Sequence, residues 1–185
     1  MAQKARFGLT LSNRGVVLGL TTPDELLSLA QKAESAEIFH HLWVGDQIMA
    51  KPRLESITLM AAVASRTTRI KIGVACMASL PSRNPVVLAK QVATLDFLSK
   101  GRFFPAVGLG QEEPEEYEAC GVSKADRGRR TDEAIAMATM FTARYMHADA
   151  IVALTESGAT ALLMSRINTV TPIYALTRHP RTRAR

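Results

Sequence analysis

Thr155-Glu156-Ser157-Gly158-Ala159-Thr160 sets hydroxyls and a glycine between an apolar run and a helix-like one, the setting in which amides and hydroxyls cradle a phosphate. Thr155, Ser157, Gly158 and Thr160 are the candidate contacts; the same letters also fit an ordinary helix cap, and Glu156 repels an anion. Thr177-Arg178-His179 is a second anion contact or a solvated strand end. Asn13 and Asp46 each follow an apolar run, where an amide or carboxylate either meets a ligand or closes a turn. Gly108-x-Gly110 lacks the third glycine of the dinucleotide fingerprint, and its glycines also permit close backbone approach. His40 and His41 have no Cys or acidic partner at ligand spacing, so no metal site is expected. Cys76 and Cys120 stand apart in segments without another thiol motif, which fits reduced thiols of a cytoplasmic protein better than a disulfide framework.

These residues sit in a repeating order of apolar runs and amphipathic stretches. Arg6 to Leu11, His41 to Val44, Ile70 to Met77 and Phe103 to Leu109 read as buried strands. Between them, Thr22 caps a helix that runs to about Glu37, Leu54 to Arg66 is a second helix and Pro85 to Ser99 a third, capped by Asn84 and closed by Gly101. Gln111 to Arg130 is polar and is expected to be a long strand-to-helix loop. Thr131 is expected to cap a fourth helix, followed by strands at Ala150 to Leu154 and Pro172 to Leu176 around a helix at Thr160 to Ile167. The alternation predicts an α/β fold, a parallel sheet covered by helices with ligands at the C-terminal strand ends.

Composition limits the alternatives. With 47% hydrophobic and 22% charged residues the chain is expected to be globular. Much of the net charge of +6 comes from Arg178, Arg181, Arg183 and Arg185, and no nucleic-acid-binding motif accompanies it, so a specific nucleic-acid partner is not expected. No apolar run reaches the ~18 residues of a membrane span, and the N-terminus lacks a signal-peptide core, which leads to the expectation of a soluble cytoplasmic protein.

The run RFGLTLSNRG, the W-V-G-D at strand two, R-T-T-R-I-K-I-G at strand three, N-P-V-V-L-A-K-Q-V-A-T-L-D-F-L-S-K-G-R, and E-Y-E-A-C-G-V with D-R-G-R-R-T-D-E together resemble the luciferase-like monooxygenase family. The resemblance implies half of a TIM-type (β/α)8 barrel, residues 1–130, related to enzymes that bind FMN or coenzyme F420 and transfer hydride or activate oxygen. It places Asn13, Asp46, Ala75, Cys76, Met77, Ala78, Gly108, Gly110 and Gln111 where that family lines its isoalloxazine pocket. The family often holds a cis peptide after strand three, here Ala75-Cys76 or a neighbouring bond. A complete barrel needs about 250 residues, and the last strands, which in the family grip the cofactor phosphate, have no counterpart. The half barrel is therefore expected to be open to water and inactive alone, with a homodimer as one means of covering it.

Residues 131–185 contain T-E-S-G-A-T-A and P-I-Y-A-L-T-R-H, which resemble the pyruvate kinase C-terminal domain. This implies a strand-helix-strand continuation that shares one core with the first segment, and an effector-phosphate loop at Thr155 to Thr160. Kinase activity is not expected, because that family's catalytic barrel has no match. Three functions follow as expectations: a chimeric or truncated flavin- or F420-dependent oxidoreductase, a structural α/β module without catalysis, or an effector-binding remnant.

Overall fold

A computed structural model describes residues 6–110, 113–167 and 170–183. Its strands and helices run in the order β1 (Phe7–Thr10), α1 (Asn13–Val17), α2 (Pro23–Ser35), β2 (Phe39–Val44), α3 (Ser56–Arg66), β3 (Lys71–Met77), α4 (Pro85–Ser99), β4 (Phe103–Val107), α5 (Pro114–Ala119), α6 (Arg127–Tyr145), β5 (Ile151–Leu154), α7 (Ala159–Ser165), β6 (Ile173–Leu176) and α8 (Pro180–Arg183).

Local chemistry sets the helix limits. The Thr22 hydroxyl accepts from the Glu25 N–H at 3.2 Å while the Glu25 carboxylate accepts from the Thr22 N–H at 2.8 Å, and Pro23 opens α2. Asn84 Oδ1 accepts from the N–H groups of Val86 and Val87, so α4 begins at Pro85 as its sequence predicts. At its far end Lys100 and Gly101 turn left-handed, and the Gly101 N–H donates to the Asp96 carbonyl at 2.9 Å.

β1 to β4 form a parallel sheet in chain order, as strand-helix-strand units with short connections require. Leu42, Val44, Ile72 and Val74 are fully buried and pack in one core with Leu26, Ala30, Met60, Val63 and Leu88 of the covering helices. Burying each large aliphatic side chain contributes about 1.5–3 kcal/mol. Thr10, Trp43, Gly73 and Phe104 stand in register across the sheet, on the face opposite that core.

The second segment departs from expectation. β5 and β6 do not extend the first sheet but form a separate two-stranded parallel sheet. β4 is an edge strand, and Pro105 at its centre has no N–H to offer a further neighbour. α6 links the two layers: Ala134 packs into the first core, while Ala136, Met140 and Ala143 pack with Ile151, Ala153 and Met164 in the second.

Two local expectations are corrected. The segment after β4 is not a plain loop, since it holds α5 and a 3-10 turn at Lys124–Asp126 that leads directly into α6. α6 therefore starts at Arg127, and Thr131 lies inside it rather than capping it. Exposed pairs from Arg129 to Asp126 and Glu133 support this charged first turn, which lacks the apolar spacing that marks a helix in sequence. No helix among the described residues is long and apolar enough to cross a membrane.

Candidate functional site

The C-terminal ends of β1 to β4 lie side by side, and polar side chains brace the loops that leave them. Asn13 Nδ2 donates to the carbonyls of Gly45 at 2.8 Å and Leu54 at 2.9 Å, joining the β1 loop to the β2 loop. Asp46, whose side chain is wholly buried, accepts from Ser56 Oγ at 2.6 Å and the Ser79 N–H at 2.8 Å, and Arg83 lies 3.1 Å away. Arg83 also reaches Glu55, the cap of α3, at 2.7 Å, and Arg130 of α6 donates to the carbonyls of Pro81 and Arg83. Donors of this kind take the place of the water shell that burial removes from the carboxylate.

Glu116 completes the bracing from α5. Its buried carboxylate accepts from the N–H groups of Ile48, Met49 and Ala50 at 3.2, 3.3 and 3.1 Å. Its partners lie up to 68 residues away, so nothing in the local spacing of the acidic segment marks it out. Arg53, also unmarked by sequence, lies against Gly45, where a Cβ would meet its guanidinium at 1.9 Å.

The open face of the sheet is built from different residues. Trp43 and Phe104 meet edge to face with ring centroids 4.8 Å apart, and His41 stacks on Trp43 at 6.1 Å. Glycines make room for the indole, because a Cβ at Gly8 or Gly73 would lie 2.9 Å from its ring atoms. Burial, reinforced by Lys71, His40 and Arg6, holds the His41 imidazole below the usual histidine range. Toward the C-terminal ends the side chains become small. Ala75 and Ala106 are paired and exposed, the Ala75–Cys76 bond is cis, and a Cβ on Gly108 would sit 2.5 Å from the Cys76 sulfur. The result is a shelf of small groups above an aromatic floor.

The sequence candidates thus divide. Ala75, Cys76 and Gly108 come together on the shelf. Met77 and Ala78 turn into the interior, with Met77 part of the first core. Gly110 adopts φ +91, and a Cβ there would overlap the Tyr117 hydroxyl and Pro81, so its role in the structure is packing under α5. Asn13 and Asp46 belong to the bracing. Gln111 lies outside the described residues. The effector loop is remote in chain and fold: the Gly158 N–H donates to Thr155 Oγ1, the Ala159 N–H to Ser157 Oγ, Thr160 lies in the first turn of the seven-residue α7, and Glu156 pairs with Arg178 at 2.7 Å. Among the described residues no group of three or more His, Cys, Asp and Glu could hold a metal.

Comparison with known proteins agrees with this architecture. The family model described as luciferase-like monooxygenase matches residues 5–185. The 4-hydroxyprotoasukamycin monooxygenase of Streptomyces nodosus is 34% identical over 123 residues, covering 60% of this chain and 32% of that protein. The chain thus spans about a third of that curated relative's length and 39% of the next ones it matches. A shorter stretch of 52 residues is 50% identical to pyruvate kinase II of Salmonella typhimurium, covering 28% of this chain and 11% of that enzyme. Among solved structures, the monooxygenase RslO1 of Streptomyces bottropensis aligns with a TM-score of 0.61 and 22% identity over 73% of this chain and 42% of its own. The oxygenating constituent of 3,6-diketocamphane monooxygenase from Pseudomonas putida, solved with FMN, gives 0.56 and 19% over 73% and 38%. The coenzyme F420-dependent tetrahydromethanopterin reductase of Methanopyrus kandleri gives 0.54 and 20% over 75% and 41%. At these identities the structural matches show the fold.

Proposed function

We propose, on the premise that this chain belongs to the luciferase-like monooxygenase family, that it carries one wall of a flavin or F420 site and performs no turnover by itself. The observation that carries this reading is the shelf: Ala75, Cys76, Ala106 and Gly108 lie at the C-terminal strand ends above Trp43 and Phe104. FMN or F420 would lie against these residues, and when bound it supplies the hydride or oxygen chemistry. Gly108 keeps the backbone low beside Cys76, while the bracing by Asn13, Asp46 and Glu116 ties the loop ends to one another. The chain is an oxidoreductase half, 1–130, joined to a pyruvate-kinase-like segment, 131–185, with α6 as the shared element. A second copy covers the open wall; Val152, Leu154, Tyr174 and Leu176 on the separate β5–β6 sheet are exposed as well.

The test is titration of the purified chain with FMN and with F420, following Trp43 and cofactor fluorescence together. Quenching of both signals is expected, and Ala106→Trp, which fills the shelf from an exposed position, removes it. No spectral change at high cofactor concentration sinks the proposal and leaves a structural α/β module. Sedimentation of the same samples reports whether the cofactor-responsive species is the dimer.

A further inference from the structure

β4 and β5 do not pair, and the gap between them opens into a cleft of about 560 Å³ that reaches the packed sides of α4 and α6. Leu88 and Val92 of α4, Phe103 of β4, Ala138 of α6 and Ile151 of β5 give it an apolar lining. Its volume lies within the range of about 300–1,000 Å³ that holds small organic molecules. None of Ala75, Cys76, Ala106 and Gly108 lines it, and Phe104 of the aromatic floor borders both.

Asp96 breaks the apolar pattern. It is the only titratable side chain in the lining and is half-buried. Its carboxylate accepts from the Phe103 N–H, and no cation among the described residues pairs with it. Burial pushes its carboxyl up, against the opposing Phe103 hydrogen bond. The nearby Thr139 hydroxyl donates to the Ile135 carbonyl at 2.8 Å. A carboxylate partly withdrawn from water in the lining of a largely apolar cleft is best matched by a molecule with the opposite arrangement, apolar over most of its length with one cationic donor.

We propose that this cleft binds a small apolar amine, its hydrocarbon among Leu88, Val92 and Ala138 and its ammonium donating to Asp96. Binding is non-covalent.

The probes are 4-phenylbutylamine and the neutral 4-phenylbutan-1-ol, titrated calorimetrically into the full chain at neutral pH. The amine is expected to bind about tenfold more tightly, the size of one charge-assisted hydrogen bond. Asp96→Asn is expected to abolish that preference and leave alcohol binding intact, while Ala138→Phe, which fills the cleft, removes binding of both. The Leu88, Val92 and Ile151 methyl resonances should shift on saturation. Equal affinities in the unmodified chain, a preference that survives Asp96→Asn, shifts confined to other methyls, or no binding of either probe overturns the proposal. The two-probe comparison and Ala138→Phe decide it even if Asp96→Asn does not fold.

Discussion

Asp46 and Arg83 form an ion pair of 3.1 Å in which none of the aspartate side chain and little of the arginine side chain reaches solvent. The pair ties the loop after β2 to the turn after β3, and Ser56 and the Ser79 N–H occupy the remaining acceptor positions of the carboxylate. Removing Asp46 leaves Arg83 paired with Glu55 but takes the acceptor from Ser56 Oγ and the buried Ser79 N–H. Asp46→Ala is therefore expected to lower stability by about 1–3 kcal/mol, and Asp46→Asn by less, because its amide oxygen still accepts from Ser79. Urea unfolding followed by Trp43 fluorescence and far-ultraviolet circular dichroism measures both. Coincident transitions of the two signals in the unmodified chain also test whether the segments joined by α6 unfold as one unit.

Glu116→Gln should loosen the β2 loop without disturbing the sheet. The single amide oxygen of the variant can keep the N–H groups of Met49 and Ala50 in weaker neutral hydrogen bonds, while its NH2 group leaves the Ile48 N–H without an acceptor. A loss of about 1–3 kcal/mol is expected. Amide hydrogen exchange should accelerate at those positions and remain slow in β2 and β3.

Glu34 gives a pH dependence of definite sign. Burial acts against its charged form, but the N–H groups of Ile70, Arg69 and Thr68 together outweigh it, aided by Arg102, and hold the carboxyl below the usual glutamate range. A lowered folded value stabilises the protein above the unfolded pKa, and that contribution is lost as the pH falls through the folded value. Glu34→Gln should thus be less stable than the unmodified chain at neutral pH. The gap should close in acid, below the ordinary glutamate range, which denaturation midpoints across pH would reveal.

Thr131 carries a cost that a substitution can remove. Its hydroxyl is buried in α6 and has no hydrogen-bond partner among the described residues. Valine has nearly the same shape and a similar helix propensity. Thr131→Val is expected to raise stability by about 1 kcal/mol. An unchanged or lower melting temperature would mean that the hydroxyl is satisfied in solution.

The sequence by itself determined the order of β1 to β6 and of α2, α3, α4, α6 and α7, because apolar spacing and capping residues act over a few positions; the short α1, α5 and α8 carry no such signal. Thr22 with Glu25, and Asn84 with Pro85, mark helix starts that the structure keeps. It missed the start of α6, where arginines solvate the first turn and no apolar period announces it. The shelf was half legible: Ala75, Cys76 and Gly108 were named through the family resemblance, yet their meeting rests on the pairing of β3 with β4. Tertiary structure alone decided what Asn13 and Asp46 touch, since a strand-end position does not say whether a side chain turns toward the open wall or the neighbouring loop. It likewise decided that β5 stands apart from β4. Strand pairing and buried carboxylate networks such as those of Asp46 and Glu116 join residues tens of positions apart, and their geometry comes from packing rather than from local spacing.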